Sequence, residues 1–308
     1  MAGPEYTPRR TSESRFEPLR GLRAHLFCWG DASLASPACP PLVLLHGWMD
    51  TGASYQFLVD ALHALEGPRR FIVAPDWRGF GRSEAAPADS YWFPDYLGDL
   101  DALLQRLAPT GAVDLLGHSM GGNVAMLYAG VRPARVRRLV NLEGFGMPRA
   151  ESAQAPERLA QWLDELQTPA RLRPYPSLAA VADRLCANDP FLPPDHAAWL
   201  APHWAQAAPG GGFALRADPA HKRVNPVLYQ VDEVLACWQR IRAPLLWVEG
   251  ADSDTDRWWG TRYPRTEFHQ RLASVGASVR KLVLSDCGHM VHHVQPVALA
   301  QALLDFLA

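Results

Sequence analysis

The stretch LLGHSMGGNVA, residues 115–125, decides how this chain is organised. Ser119 stands between Gly117 and Gly121 in the pattern G-x-S-x-G, after an apolar segment and before a helix-like one. This context predicts a tight strand–turn–helix in which the serine hydroxyl projects above the edge of a sheet. The glycines are expected because larger side chains would collide with the neighbouring strand and helix. Ser119 is therefore a candidate nucleophile, and the alternative is a structural loop serine.

Short apolar runs recur along the rest of the chain, at 41–47, 70–76, 112–119, 136–144, 244–254 and 280–289. Such runs are typical of strands buried on both faces of a parallel sheet. The alternating segment 22–30 predicts an antiparallel edge strand, whereas 54–65, 95–108 and 297–308 carry the apolar stripes of helices. The alternation predicts an α/β fold, with a mostly parallel central sheet flanked by helices.

The predicted domain organisation has three parts. Residues 1–18 are interpreted as a flexible N-terminal tail, and residues 19–146 together with 237–308 as the α/β core. Residues 147–236 are rich in Pro, Ala and Trp and predict a helical cap inserted after the fourth buried strand. The alternative is an irregular connection with no role in substrate contact.

Composition excludes several classes of partner. The chain has 308 residues and a net charge of −2, so nothing indicates binding to nucleic acid or to an anionic membrane. All basic residues except Lys222 and Lys281 are arginines, which together with the many alanines and prolines is typical of a high-GC bacterial genome. The expected partner is a small-molecule substrate, and the oligomeric state is undetermined.

The cysteines and the N-terminus indicate a cytoplasmic protein. The five cysteines are odd in number and form no C-x-x-C pair, so neither a disulfide framework nor a zinc site is expected. The N-terminus is polar, and no segment is long and apolar enough for a signal peptide or a membrane span. In DWRGFGRS, residues 76–83, no third glycine stands in register to complete a dinucleotide-binding motif, so no cofactor is expected. No metal is expected either.

A serine nucleophile needs a base, and His289 is the candidate. It follows the last predicted strand and precedes the last helix, in SDCGHMVHHVQP, so it lies at the same sheet edge as Ser119. The neighbouring His292 and His293 are interpreted as packing or surface groups. The acid that orients the base is ambiguous on this evidence, because Asp252, Asp254, Asp256 and Glu143 all follow predicted strands at the edge where ligands bind.

Two backbone N–H groups are candidates for stabilising an oxyanion. Met120 follows the nucleophile at a helix start, and Trp48 follows the strand that ends in His46-Gly47. The Trp48 side chain would also form an apolar wall, whereas His46 is interpreted as a buried histidine that bonds loop backbone. Further candidates for the substrate pocket are Phe145, Trp162, Trp199 and Trp204, and the alternative is that they pack the core of the cap.

Five motifs in this order resemble the α/β-hydrolase superfamily: HGWMD, DWRGFGRS, GHSMGG, the acid loop and CGHMVHHVQP. The resemblance covers about residues 20–308, and HGWMDTGASY and NLEGFG are most similar to the serine hydrolase-like proteins of that superfamily. It implies Ser119 as nucleophile, His289 as base, Trp48 and Met120 as oxyanion donors, and a helical cap before PLLWVEG.

The acid is where the chain departs from the family pattern. The common loop G-x-x-D would put the acid at position 253, which is Ser253. A variant, G-x-x-S-D, puts it at Asp254, which is the preferred prediction. Glu143 is the second choice, since it lies 24 residues after Ser119 (143 − 119), where related dehalogenases carry the acid. Asp252 is the third.

The leading functional hypothesis is a serine hydrolase that cleaves a carboxylic ester, lactone or thioester of a small apolar or aryl substrate through an acyl-enzyme. A serine nucleophile excludes the ester-forming carboxylate of epoxide and carbon–halogen hydrolases, and His118 argues against carbon–carbon bond hydrolases. The alternatives are an acyltransferase or perhydrolase with the same triad, or a non-catalytic ligand-binding protein on the same fold.

Overall fold

The computed structural model describes residues 5–67 and 69–308. Its strands are β1 (Glu13–Leu19), β2 (Leu22–Trp29), β3 (Leu42–Leu45), β4 (Ile72–Pro75), β5 (Val113–His118), β6 (Val136–Leu142), β7 (Ala205–Ala207), β8 (Phe213–Leu215), β9 (Leu245–Gly250) and β10 (Val279–Leu284). Strands β7 and β8 pair as a separate hairpin, and the others form one sheet in the order β1-β2-β4-β3-β5-β6-β9-β10. The pairs β1–β2 and β2–β4 are antiparallel and the remaining pairs are parallel, so the predicted fold class is confirmed.

Helices cover both faces of the sheet. They are α1 (Gln56–Glu66), α2 (Phe93–Leu107), α3 (Met120–Val131), α4 (Ala155–Leu166), α5 (Leu178–Asn188), α6 (Pro194–Trp204), α7 (Val231–Trp238), α8 (Asp256–Trp259), α9 (Arg265–Leu272), α10 (Val291–Val294) and α11 (Pro296–Leu307). Helices α1, α10 and α11 pack on one face, and α2, α3, α7 and α9 on the other. In the part of the chain that the structure describes, no helix is both long enough and apolar enough to cross a bilayer.

Strand β5 carries the candidate nucleophile to the centre of the sheet. Every residue from Val113 to His118 is buried, and successive side chains enter opposite cores, Leu115 one and Leu116 the other. This two-sided burial is why the strand has a continuous apolar run rather than an alternating one. The strand ends at His118, and Ser119 follows it at the edge of the sheet where parallel strands point their carboxyl ends.

The flexible tail predicted for residues 1–18 is wrong over residues 13–18. These residues belong to β1, which pairs with β2 from Glu13 opposite Cys28 to Leu19 opposite Leu22. Upstream, the Asp60 carboxylate accepts hydrogen bonds from the Tyr6 hydroxyl at 2.6 Å and from two backbone N–H groups. Residues 1–4 lie outside the described residues. β1 is polar and largely exposed, so its own sequence carries little strand signal, and its pairing with β2 stabilises it.

The inserted segment after β6 is helical as predicted, with α4, α5 and α6 followed by the β7–β8 hairpin. Its predicted end at residue 236 falls inside α7, which packs in the main core against α3. The two helices approach closely at Gly130, where a Cβ atom would overlap the Cys237 carbonyl. Helix α7, which begins at Val231, therefore packs with the core rather than with the inserted helices.

A buried carboxylate ties the start of β5 to its surroundings. Asp114 is fully buried and accepts hydrogen bonds from Arg70 at 2.6 Å and from Arg137 at 2.7 and 2.8 Å. Removing one member of a buried ion network leaves the remaining charges unpaired, which costs more than the net contribution of the pair. Two guanidinium groups would lose their shared partner here.

We expect Asp114→Ala to lower the free energy of unfolding by about 3–5 kcal/mol. Glu17→Ala is the matched control, because Glu17 is half-exposed and pairs with the half-exposed Arg106 at 2.9 Å. Its effect should stay near 1 kcal/mol or below. Urea denaturation followed by far-UV circular dichroism measures both values, and equal losses in the two variants would contradict the structural role assigned to Asp114.

Candidate active site

Ser119 occupies a strained turn between β5 and α3. Its backbone has φ 51° and ψ −116°, a region that side-chain-bearing residues rarely adopt. The Ser119 N–H donates to the Leu142 carbonyl at 2.8 Å, which anchors the turn to β6. The hydroxyl opens into a cavity and has no hydrogen-bond partner among the described residues. Such strain is a feature of turns that hold a nucleophile exposed.

The glycines around Ser119 are required by close backbone approaches. A Cβ atom at Gly117 would overlap the Gly121 carbonyl, and one at Gly121 would overlap the Leu45 carbonyl of β3. These are the collisions with the neighbouring helix and strand that the G-x-S-x-G pattern predicts. The turn can therefore be this tight only with glycine at both positions.

His289 lies in the loop between β10 and α10, and Glu143 faces it. The His289 Nδ1 atom is 3.1 Å from Glu143 Oε2. The Glu143 side chain is fully buried, whereas His289 keeps 23% of its side-chain surface exposed and borders the same cavity as Ser119. The His289 carbonyl accepts a hydrogen bond from His118 Nε2 at 2.9 Å, which fixes the loop from behind. A carboxylate on Nδ1 would leave Nε2 free for a proton of the serine.

The preferred acid of the sequence prediction, Asp254, does not meet His289. Asp254 is exposed, and its carboxylate accepts the Arg257 N–H of its own loop at 3.1 Å. Asp252 is also exposed, and the Asp256 side chain lies outside the described residues. The structure thus brings the second-choice residue, Glu143, to the histidine and leaves Asp254 and Asp252 at the surface. The reason is the direction of the acid loop, which turns Ser253 inward instead of its neighbours.

Ser253 explains how Glu143 takes this position. Its hydroxyl donates to Glu143 Oε2, and the Gly250 N–H donates to Glu143 Oε1 at 2.7 Å. Position 253 is where the common G-x-x-D loop would carry a carboxylate. In this chain a small donor stands there, and the carboxylate comes from the end of β6. Glu143 has φ 57°, so it is a second strained residue beside Ser119.

Burial shifts the pKa values of both partners. It lowers the pKa of His289, because the imidazolium loses solvation. Burial also raises the pKa of Glu143, because the carboxylate loses solvation, whereas the hydrogen bonds from Ser253 and Gly250 favour the ionised form. His289 is therefore uncharged at neutral pH, which is the state in which it can accept a proton.

Two backbone N–H groups beside Ser119 have no hydrogen-bond acceptor within the described part of the chain. Met120 is the first residue of α3, and Trp48 follows Gly47 in the turn after β3. A Cβ atom at Gly47 would lie 3.3 Å from the Ser119 Cβ, so the two turns are in contact. His46 holds the Trp48 turn through its ring, since Nδ1 bonds the Gly47 carbonyl at 2.7 Å and Nε2 accepts the Trp77 N–H at 2.9 Å.

A cavity of about 860 Å³ opens above Ser119, between the core and the cap. Trp48 and Phe145, two of the candidates for the substrate pocket, line it. Its other aromatic walls are Tyr91, Trp92, Phe93, Tyr96, Tyr229, Trp258 and Trp259. Sequence reasoning missed most of these, although the aromatic-rich segment RWWGTRYPRTEF was a visible signal. Trp258 packs against the His289 ring, and the two ring centroids are 4.5 Å apart.

The other three predicted pocket tryptophans are not lining residues of this cavity. Trp199 packs edge-on against Phe57 and Tyr6, with centroids 5.6 and 5.5 Å apart, and Trp204 joins the apolar clusters of the cap. Trp162 lies on α4 away from the cavity lining. Trp204 thus packs within the cap, which is the alternative that the sequence left open, whereas Trp199 packs between the cap and α1. Helix α6 turns this face inward because its apolar residues, among them Leu200, pack in one cluster with Phe57 of α1 and Leu185 of α5.

One group of side chains has the composition of a metal site. Asp50, His118 and His292 are buried, and one ligand atom of each lies within 4.8 Å of the other two. It lies behind His289, next to the loop rather than in the cavity. Neutral imidazoles are expected there, because burial lowers the pKa of both His118 and His292.

Comparisons with known proteins agree with the fold. A family model for the alpha/beta hydrolase fold matches residues 40–296. A 3-hydroxybutyrate-oligomer hydrolase from Cupriavidus necator is 31% identical over 288 residues, covering 89% of each chain. A serine hydrolase-like protein from Danio rerio is 25% identical over 87% of this chain and 81% of its own. The thioesterase domain from the curacin biosynthetic pathway matches with a TM-score of 0.79 and 26% identity, over 96% of this chain and 99% of that domain. The chain belongs to the α/β-hydrolase family, and its resemblance to serine hydrolase-like proteins is confirmed.

Proposed function

We propose that this α/β hydrolase cleaves carboxylic esters with Ser119 as nucleophile, His289 as base and Glu143 as the acid. The observation that carries the proposal is the 3.1 Å contact between His289 Nδ1 and Glu143, at the edge of the cavity into which Ser119 opens. Desolvation of His289 and the backbone strain at Ser119 add to it, because both features are common at catalytic sites.

The first half of the proposed reaction forms an acyl-enzyme. Ser119 Oγ attacks the ester carbonyl while His289 Nε2 accepts the hydroxyl proton, and the imidazolium is stabilised by Glu143 through Nδ1–H. The N–H groups of Trp48 and Met120 hold the negative oxygen of the tetrahedral intermediate. The ester C–O bond then breaks, and His289 returns the proton to the departing alcohol.

The second half repeats these steps with water. His289 accepts a proton from water, whose oxygen attacks the acyl-serine carbonyl. The same two N–H groups stabilise the second intermediate. The bond to Ser119 Oγ breaks, the proton returns to the serine, and the carboxylic acid is released.

The proposed substrates are esters or thioesters with an apolar or aryl portion. The aromatic walls of the cavity support this, since pockets for such ligands are mostly apolar with few polar groups. Two relatives support ester or thioester chemistry, as one is a 3-hydroxybutyrate-oligomer hydrolase and another is a thioesterase domain. The five cysteines are unpaired, which supports a reducing compartment such as the cytoplasm.

Fluorophosphonate labelling tests the triad without knowledge of the substrate. We expect a fluorophosphonate to form one adduct on Ser119, located by mass spectrometry of the digested protein. His289→Ala should slow labelling by at least about 100-fold, because the base that activates the hydroxyl is lost.

His269→Ala is the control, since His269 lies on α9 and contacts Glu249 rather than the cavity. It should label at the wild-type rate. A folded wild-type protein that gives no adduct on Ser119 would contradict the proposal and favour a non-catalytic ligand-binding protein.

A further inference from the structure

Arginines line the cavity of the candidate active site, which the sequence alone did not suggest. They are Arg149, Arg158, Arg223 and Arg262. They come from three separate segments: the region around the start of α4, the connection between β8 and α7, and the loop between α8 and α9. Arg158 and Arg223 are half-buried and Arg262 is exposed, so these cations reach solvent and can also reach a ligand in the cavity.

One of these cations is already compensated. Arg149 forms a bidentate pair with Asp232, at 2.8 and 2.9 Å. Among the side chains that the structure describes, no carboxylate lies within 4.0 Å of the charged groups of Arg158, Arg223 or Arg262. Their charges are therefore available to a ligand in the cavity.

The hydrogen bonds of two of these arginines are to neutral groups. Arg223 donates from Nη1 to the Asp89 carbonyl at 3.2 Å, and Arg262 donates from Nε to the Trp259 carbonyl at 3.4 Å. The Nε atom of Arg223 is buried and has no partner among the described residues. A buried guanidinium N–H without an acceptor is costly, so an anionic oxygen from a ligand would stabilise it.

The acidic residues that line the cavity do not balance these charges. They are Glu143, which is held by Ser253, Gly250 and His289, and Glu151, which is exposed at the rim. Arg223 also borders a second groove, which contains Glu157, Asp164 and Glu165. The Arg223 side chain therefore lies between this acidic groove and the cavity. Arg158 and Arg262 line the cavity and do not border this second groove.

We propose that the preferred substrate is an ester that itself carries a carboxylate, bound by Arg158, Arg223 and Arg262 while the ester carbonyl reaches Ser119. This inference rests on the proposed ester hydrolysis and names its substrate class. The planar guanidinium fork matches a carboxylate with two parallel hydrogen bonds. The aromatic walls hold the apolar chain between the two groups and reduce screening by solvent.

A binding experiment tests the proposal independently of catalysis. The probes are 5-phenylpentanoate and its uncharged match, 5-phenylpentanamide, titrated against the full chain and followed by tryptophan fluorescence, since Trp48, Trp258 and Trp259 line the cavity. We expect the carboxylate to bind about tenfold more tightly than the amide. Arg158→Gln and Arg262→Gln should each remove most of that preference, and added salt should weaken it.

Arg280→Gln is the matched control, because Arg280 is exposed on β10 and does not line the cavity. It should keep the full preference. Equal binding of the two probes to the wild-type protein would overturn the proposal, as would an equal loss of preference in Arg280→Gln and Arg158→Gln.

Hydrolysis of a matched ester pair separates this inference from the proposed function. The pair is mono-4-nitrophenyl adipate, which carries a free carboxylate, and methyl 4-nitrophenyl adipate, in which that carboxylate is a methyl ester. The two are compared by kcat/KM for release of 4-nitrophenol. A preference for the anionic ester that falls about tenfold in Arg262→Gln supports the inference. Turnover of both esters with no preference would leave ester hydrolysis standing and overturn the carboxylate class. Carboxylate-selective probe binding without turnover of either ester would instead support the carboxylate site and overturn ester hydrolysis.

Discussion

Ser119→Ala is expected to lower kcat for ester hydrolysis on the order of 10⁶-fold, because the acyl-enzyme can no longer form. The measurement is the release of 4-nitrophenol from 4-nitrophenyl butyrate at saturating substrate. The protein should remain folded, since the hydroxyl has no hydrogen-bond partner among the described residues and its removal leaves no buried group unpaired. Activity within about tenfold of wild type would contradict the assignment of Ser119 as nucleophile.

Ser119→Gly is the matched variant that tests the strained turn. It should be as inactive as Ser119→Ala, yet more stable by about 1 kcal/mol, because glycine adopts φ 51° without a steric penalty. Thermal unfolding of the two variants measures the difference. A glycine variant that is less stable than the alanine variant would argue against backbone strain at this position.

Glu143→Gln is expected to lower kcat by about 10³–10⁴-fold, the second largest effect in this molecule. The amide keeps the size of the side chain but loses the charge that stabilises the imidazolium and holds its tautomer. Asp254→Asn is the control and should stay within about twofold of wild type, since Asp254 bonds only its own loop. Kinetics with the same nitrophenyl ester measure both variants. A larger loss in Asp254→Asn than in Glu143→Gln would restore Asp254 as the acid.

Adding Ser253→Asp to Glu143→Gln extends this experiment. Ser253 bonds Glu143 and occupies the position at which the common loop of the family carries its acid. A carboxylate introduced there should recover part of the activity lost with Glu143→Gln. Ser253→Asp alone should instead reduce activity, because two carboxylates in contact cannot both be ionised at low cost. No recovery in the double variant would mean that position 253 cannot present a carboxylate to His289.

The tight turn at Ser119 and the position of His289 at the same sheet edge could be predicted from the sequence because their constraints are local. The glycines at 117 and 121 are dictated by contacts within a few residues of Ser119 or with the next strand. His289 follows the last strand of a parallel sheet, and the topology of such a sheet places it at the same edge as the serine. Buried strands have continuous apolar runs whatever their partners are, so the order of strands and helices was readable as well.

The acid could not be chosen from the sequence, since two loops offer carboxylates at the same sheet edge. The choice depends on which side chain of the β9 loop turns inward, and Ser253 does so rather than Asp254. Glu143 then meets His289 across 146 positions of sequence. That contact is set by the packing of β6 beside β9, which no local pattern records.

The sequence by itself determined the fold class, seven of the eight strands of the main sheet, the candidate nucleophile and base, and the inserted helices. Only the tertiary structure decided that β1 is part of the sheet, that Glu143 faces His289, that Trp199 and Trp204 pack away from the cavity, and that arginines converge on it. The physical reason is the range of the interactions: hydrophobic periodicity and turn strain act between neighbours in sequence, whereas strand pairing, ion pairing and cavity walls join residues that the folded chain alone brings together.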